Sequence, residues 1–449
     1  MASIESCLPY AIAVKNNPQP CRTLQQWMQD LHVPGVSIAV IHNGTIAWAK
    51  GYGVARIGGE PVTADTMFQA GSISKAVSAM GTLHLVQQGK LSLDEDINQK
   101  LVSWKLPASP IAPGAVVTLR ELLTHTSGLS VHGFPGYAAG EPVPTLVQVL
   151  NGEKPANTKA VRLESKPDSQ WKYSGGGITV MQLLLQDVTQ QPFASFMQDT
   201  VLSPLGMSHS TFEQPLPADR RSVAATPYDE AGQAVPGGAH TYPEQAAAGL
   251  WTTPSDLARF VLEIQQSLQG NANHALDQAM TREMLTPGKG SWGLGIEIGG
   301  SRTAPFFDHD GDDAGFEAVM IGYEKGGDGV AIMTNGQNGG VLNMQILRSI
   351  AVAYGWPDFQ PIVHTAVTLD RRVLSRYAGT YQIGPSEKMV ITLEGDQLMS
   401  RVGHQTKLAL FAQSPTHFFT LMGGEFDFPV QADGIVVHND DGDYHGKRL

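Results

Sequence analysis

The sequence predicts an α/β fold followed by a small antiparallel β-barrel, and three observations carry the prediction. Residues 36–41 and 45–53 flank Asn43-Gly44, the strongest short-range hairpin signal available. Strand character returns only at 294–298, 317–322 and 329–334, after a long stretch whose periodic segments are helical. Beyond about Leu369 the texture changes to short alternating strands at 389–393, 397–402, 407–411 and 417–421, separated by Gly, Asp or Pro turns, which is the spacing of a small barrel. At 449 residues the chain is long enough for two or three domains.

After the hairpin, Ala76, Val77, Met80, Leu83 and Val86 are spaced like the buried side of a helix, with Gly89 placed to cap it. From about residue 93 to 286, helical pieces at 119–123, 178–189 and 255–266 are separated by long Pro/Gly loops and form an α-helical lobe. Residues 341–354 read as a closing helix. Trp356-Pro357-Asp358-Phe359-Gln360-Pro361 then reads as a linker.

The helix at 76–86 opens on Ser72-Ile73-Ser74-Lys75, a hydroxyl and an amine one turn apart and on one face. A serine hydroxyl is a poor nucleophile at neutral pH, so acyl transfer needs a base within hydrogen-bond reach. The helix start also points free backbone N–H groups at Ser72, which suits an oxyanion. The spacing alone is weak, because Ser169-Gln170-Trp171-Lys172 repeats it. That second string lies between Lys166-Pro167-Asp168 and Gly175-Gly176-Gly177 and reads as a loop with no helix behind it. Taken by itself, the first string fits a buried core helix with Ser and Lys in its first turn as well as it fits a nucleophile.

The strings that accompany it carry the argument further. They are Leu122-Leu123-Thr124-His125-Thr126-Ser127-Gly128-Leu129, Tyr173-Ser174-Gly175-Gly176, the run from Gly249 through Trp251 and Pro254 to Leu257, and His309-Asp310-Gly311. In that order they resemble the serine β-lactamase and penicillin-binding-protein superfamily, in its class C-like branch of β-lactamase-type carboxylesterases, D-aminopeptidases and penicillin-binding-protein homologues. The resemblance runs from about Val33 to Ala353. It implies an antiparallel sheet built from both ends of the sequence and flanked by helices, a helical lobe inserted over it, and an active site in the cleft between them. It also implies Ser72 as acylated nucleophile, Lys75 as its activating partner and Tyr173 as the general base that later protonates the leaving group. His309 takes the place of the lysine in the family's Lys-Thr-Gly strand, and the backbone N–H groups of Ser72 and Asp312 form the oxyanion hole. Ser174, Gly175 and Gly311 line the substrate. Free tyrosine and lysine titrate near or above pH 10, so each needs the other's neighbourhood to act at pH 7. Which of Lys75 and Tyr173 is the formal base stays open.

Two departures bear on substrate. Gly175 stands where the Tyr-x-Asn version of the motif has an asparagine that binds the substrate's amide carbonyl, and losing one polar contact costs orders of magnitude in selectivity. His309 replaces a fixed cation with a side chain that is largely neutral at pH 7. Both tilt the reading away from efficient β-lactam hydrolysis and toward neutral esters, or toward peptides recognised in another way.

The segment after the linker resembles the lipocalin-like C-terminal domain of some penicillin-binding-protein homologues, with Tyr377-Ala378-Gly379-Thr380-Tyr381 as its opening signature. The expected boundaries are a hydrolase domain at 1–355, with the helical lobe of about 93–286 inserted, a linker at 356–368 and the barrel at 369–449. The barrel is either a structural or dimerisation module or a wall that narrows the cleft.

Composition excludes several classes. The balance of 30 basic against 42 acidic residues, net −12, argues against a nucleic-acid partner, and no apolar run approaches the length of a membrane span. The first residues lack the basic and apolar regions of a signal peptide, so the expectation is a cytoplasmic protein, or a periplasmic or secreted one whose signal has been removed. Cys7 and Cys21, the only cysteines, are either free thiols or a bridge that would point to an oxidising compartment. The histidines show no His-Glu-x-x-His pattern, the string 288–293 follows no strand and so is no dinucleotide fingerprint, and the acid cluster 308–313 lacks the glycine and glutamate of a calcium loop. The expectation is a serine hydrolase for small ester, amide or peptide substrates, without metal or organic cofactor and with homo-oligomerisation left open. Carboxylesterase leads, D-amino-acid peptidase or weak β-lactamase follows, and a sensor or penicillin-binding protein that acylates without turnover is the reading from another class.

Overall fold

A computed structural model describes residues 2–384, 387–403, 407–429, 433–439 and 442–449. The chain divides into two compact units, one of residues 27–343 and one of residues 1–26 with 344–449.

The first unit is built on a six-stranded antiparallel sheet. Its strands are β1 (Gly35–His42), β2 (Thr45–Gly53), β3 (Glu297–Ser301), β4 (Ala304–Asp313), β5 (Phe316–Tyr323) and β6 (Gly329–Thr334), in the spatial order β2-β1-β6-β5-β4-β3. Asn43 and Gly44 both take positive φ, 51° and 73°, and close the β1–β2 hairpin, as Asn-Gly does in a tight turn whose twist matches its strands. β1 is buried on both faces along nearly its whole length because it lies between β2 and β6, whereas β2, at the sheet edge, is partly exposed. The sheet therefore joins strands from the two ends of this unit.

Between them in sequence lie the helices that carry the site. The helix α1 (Ile73–Gln87) is buried on nearly every side, which is why its sequence shows only weak amphipathicity. It ends in a Schellman turn: Gly89, at φ 70°, donates its N–H to Val86, and Lys90 donates to Leu85. Gly89 thus sits just past the cap residue, Gln88. The helix α2 (Gly175–Thr189) starts three residues before the predicted span because the Ser174 hydroxyl accepts the Gly177 N–H and caps the glycine run. The helix α3 (Pro254–Leu268) has Thr253 as its N-cap and Pro254 in its first turn.

The strand expected at 294–298 is displaced to β3. Gly295, at φ 81°, turns the backbone so that the amides of Leu294 and Gly295 bond to Met284 and Leu123 instead of a sheet neighbour. The ten-residue β4, which holds His309, is the longest strand of this sheet and sits in the acid-rich segment that composition alone disguises.

In the second unit, eight antiparallel strands from Gly379–Gln382 to Gly442–Arg448 close into a barrel, which fits the lipocalin-like domain. Tyr381, Met389, Ile391, Leu398, Leu410, Phe418, Phe426 and Ile435 alternate inward and fill it. Ile12–Val14 pairs in parallel with Ile362–His364, and Cys7 is disulfide-bonded to Cys21, with Cα atoms 5.2 Å apart. Among the described residues no helix is long and apolar enough to cross a membrane.

Candidate active site

Ser72 stands immediately before α1 in helical conformation, φ −66° and ψ −14°, with no capping bond from its side chain, so its hydroxyl is free for other partners. The Lys75 ammonium, one turn on, donates to the Ser72 Oγ at 2.8 Å and to the Ala247 carbonyl at 2.7 Å. Ala247 is held in place through its neighbour, since the Ala246 N–H donates to Oε1 of Gln182 on α2. Ser74, pointing the other way, accepts the Leu250 N–H at 3.0 Å and ties α1 to the Phe68–Gln69 and Trp251–Thr252 ladder.

Lys75 is only 2% exposed, and burial pulls its amine down from 10.5 to about 7 against the upward pull of the Asp313 and Asp310 carboxylates. Tyr173, in the loop before α2, faces Ser72, and its ring lies 5.0 Å from the Lys75 Nζ. Burial pushes the Tyr173 hydroxyl up from its ordinary value. The two groups are therefore driven toward neutral amine and neutral phenol.

His309, on β4, is buried, and its Nδ1 donates to the Asp310 carbonyl at 2.6 Å. That bond fixes the tautomer and leaves Nε2 as a bare acceptor with no partner among the described residues. Burial, with the Lys75 charge adding to it, pulls the imidazole down to about 4, so it is neutral at pH 7. Next to it, Gly311 packs so tightly that a Cβ would come within 1.9 Å of the Ala70 carbonyl and 3.2 Å of the Ser72 nitrogen. A Cβ on Gly71, which has φ 50°, would fall 2.5 Å from the Asp312 nitrogen. These glycines let the backbone of residues 70–72 pack directly against that of residues 311–312. The Asp312 side chain is turned elsewhere, accepting from Gln337 at 2.8 Å.

The remaining predicted residues are placed as follows. Ser174 is buried with its hydroxyl committed to the Ser130 carbonyl and the Gly177 amide, which makes it a cap. Gly175 is covered by the chain itself, since a Cβ would meet the His132 carbonyl at 2.8 Å and the Phe134 ring at 3.0 Å. The segment 132–134 thus fills space beside the tyrosine, and the His132 ring lies 4.9 Å from that of Tyr173. Asp256, in the run that ends at Leu257, also serves the fold: it accepts from Ser210 and the His209 amide and pairs with Arg259.

Three groups at the site received no role from the sequence. His125 is fully buried, accepts the Ser174 N–H on Nδ1 at 3.2 Å and stacks 4.3 Å from Tyr173. Trp292 closes the other side, 5.7 Å from Tyr173 and 5.4 Å from His309 between ring centroids. Asp313 is buried near Lys75, Tyr242 and the Gly71 amide, and burial pushes its carboxyl well above the ordinary range. His125 lies inside a quoted string and Asp313 beside one, but nothing in their spacing distinguishes them from neighbours.

Chemically, the arrangement offers a hydroxyl, an amine that burial drives toward its neutral form and a phenol that can carry a proton, beside closely packed backbone at residues 70–72 and 311–312. Residues 22–354 match the family model described as Beta-lactamase. Protein flp of Staphylococcus aureus (strain N315) is 27% identical over 199 residues, which are 43% of this chain and 38% of that protein. A beta-lactamase of Pseudomonas fluorescens is 30% identical over 53% of this chain and 62% of its own length. The chain thus spans 38% and 62% of the length of these two curated relatives, less than two thirds of each. Among solved structures, the octameric penicillin-binding protein homologue from Pyrococcus abyssi superposes with a TM-score of 0.63 at 21% identity, covering 94% of this chain and 99% of that one. The D-amino acid amidase from Ochrobactrum anthropi SV3 superposes with a TM-score of 0.57 at 23% identity, over 72% of this chain and 94% of its own. The family model covers most of the sequence and the fold is shared, so this protein belongs to the beta-lactamase family.

Proposed function

We propose that the protein is a serine hydrolase that cleaves small, neutral carboxylic esters through an acyl-enzyme on Ser72. The observation that carries the reading is the buried Lys75 amine 2.8 Å from the Ser72 hydroxyl. With its pKa drawn to about 7, a substantial fraction of Lys75 is neutral at physiological pH and able to take the Ser72 proton as Oγ attacks the carbonyl carbon. The developing oxyanion lies against the amides of Ser72 and Asp312. Tyr173, kept protonated by burial and facing Ser72, passes a proton to the leaving alkoxide and recovers it from Lys75. Water then cleaves the acyl-enzyme by the same steps in reverse.

A neutral His309 and a side-chain-free position 175 support uncharged substrates, since neither supplies a cation or an amide to a β-lactam. One observation favours a second reading, a D-amino-acid amidase or peptidase. Nε2 of His309 is a buried acceptor with no partner among the described residues, and the almost fully exposed Asp310 carboxylate, 3.9 Å from Nδ1 of the same ring, suits a substrate ammonium. The amidase with the same fold adds the fold alone to that reading.

The test is a panel of p-nitrophenyl esters, nitrocefin and D- and L-aminoacyl nitroanilides, with intact-mass detection of adducts. Ester turnover above all others supports the proposal, and preference for D-aminoacyl nitroanilides moves it to the second reading. A persistent adduct without turnover identifies a sensor or penicillin-binding protein instead.

A further inference from the structure

The outer face of the barrel carries a cluster that the hydrolase chemistry does not use. Its strands His417–Phe419, Glu425–Asp427, Gly434–Asn439 and Gly442–Arg448 are consecutive neighbours. Phe418, Phe426 and Ile435 point into the barrel core, so strand alternation puts His417, Glu425, Asp427 and His438 on the outside. The register sets His417 opposite Asp427, Glu425 opposite His438, and His438 opposite Asp443.

The side chains follow that register. His417 Nδ1 lies 2.8 Å from Asp427 Oδ1, and His438 Nε2 lies 2.9 Å from Asp427 Oδ2. The far nitrogen of each ring also faces a carboxylate: His438 Nδ1 is 2.7 Å from Asp443 Oδ1, and His417 Nε2 is 3.3 Å from Glu425 Oε2. A neutral imidazole has one N–H, so two of these four ring nitrogens present a bare lone pair to a carboxylate oxygen. Two extra protons or one divalent cation would resolve the conflict. The layout matches the cation. The inner nitrogens converge on one carboxylate, and one donor atom from each of His417, Asp427 and His438 lies within 4.8 Å of the others. The outer nitrogens are braced by carboxylates, as metal-bound histidines commonly are.

We propose that His417, Asp427 and His438 bind one divalent first-row transition ion, zinc being the committed case, through His417 Nδ1, one Asp427 oxygen and His438 Nε2, with Glu425 and Asp443 orienting the two rings. Zinc takes imidazole nitrogen and carboxylate oxygen at about 2.0–2.2 Å in a tetrahedral set, which puts ligand atoms about 3.3 Å apart. The two histidines sit on different oxygens of Asp427, at 2.8 and 2.9 Å, and the three donor atoms lie within 4.8 Å of one another, so the set needs to close by at most about 1.5 Å around an ion. The three side chains are 24%, 41% and 32% exposed, which leaves the fourth position to water. Two imidazoles select against magnesium and calcium, which prefer all-oxygen sites. The ion would tie three strands of the barrel together.

The experiment is calorimetric titration of the untagged full-length chain, stripped with chelator, with zinc, magnesium and calcium salts, alongside thermal melts. One equivalent of zinc should bind and raise the melting temperature, with no response to magnesium or calcium. Asp443→Asn should weaken zinc binding by about tenfold, as loss of an orienting partner does. The double variant His417→Ala/His438→Ala should abolish both binding and the thermal shift. Asp427→Asn, which preserves size, provides a second disabled variant whose fold is checked by circular dichroism. No saturable zinc binding up to millimolar concentration would leave the cluster as protonated ion pairs and overturn the proposal. Stoichiometric binding that survives in the double variant would place zinc elsewhere and overturn it equally.

Discussion

Two strings in this chain are spelled Ser-x-x-Lys, and the structure treats them in opposite ways. Ser72 and Lys75 sit on the first turn of α1, and the lysine is enclosed with its amine on the serine hydroxyl. Ser169 and Lys172 sit in an exposed loop, where the serine hydroxyl donates to the Lys166 carbonyl at 2.6 Å and the lysine pairs with Glu164. A hydroxyl spent on its own turn and an exposed amine paired with a carboxylate offer no acyl-transfer chemistry. What separates the two is therefore the helix and the desolvation it brings, because only a dry site pulls a lysine amine to about 7.

The largest expected effect follows from that contrast. Ser72→Ala should abolish ester turnover, whereas Ser169→Ala should leave it within about twofold, as surface substitutions usually do. Equal losses would mean that the helix is not what matters.

Next, Lys75→Ala and Tyr173→Phe should each lower kcat/KM by at least about a hundredfold. Groups that act as one proton-transfer unit are non-additive, so the double variant should be scarcely worse than the poorer single one. Lys172→Ala should change little. Multiplying losses at 75 and 173 would show that the two side chains act separately.

A smaller effect concerns pH. The acylation rate should rise as pH passes through about 7, the value to which burial draws Lys75, if its neutral form is the base as proposed. Asp313 holds that value up, so Asp313→Asn should move the rising limb to lower pH. An unmoved limb would detach Asp313 from the lysine.

The smallest effect is at Gly175. Gly175→Ala must displace the His132 carbonyl and the Phe134 ring, and overpacking of this kind costs about 1–3 kcal/mol of stability by denaturant melt. A neutral substitution would mean that segment 132–134 yields easily, and Gly175→Asn would then be a fair test of amide selectivity.

Much of this was legible in the sequence because it rests on local rules. Asn43-Gly44 fixes a hairpin, and the apolar residues behind Ser72 mark a helix where those behind Ser169 do not. The residues that resist reading owe their roles to distant neighbours. β4 looks like an acidic loop until β3 and β5 flank it, and Leu294 turns aside only because Met284 supplies a carbonyl. Ser174 reads as part of the site and acts as a helix cap, a distinction that depends on where the Ser130 carbonyl lies. Trp292 meets His125, and Asp313 meets Lys75, only in the folded chain. The barrel cluster is hidden for the same reason, since His417, Asp427 and His438 meet across strands, outside any compact spacing motif.

The most direct measurement is peptide mapping of the adduct formed with a fluorophosphonate ester, followed as a function of pH. The account predicts a single modified site at Ser72, formed faster as pH rises through about 7 and slowed by at least about a hundredfold in Lys75→Ala. An adduct on Ser169, or labelling of Ser72 that is indifferent to both pH and Lys75, would contradict it.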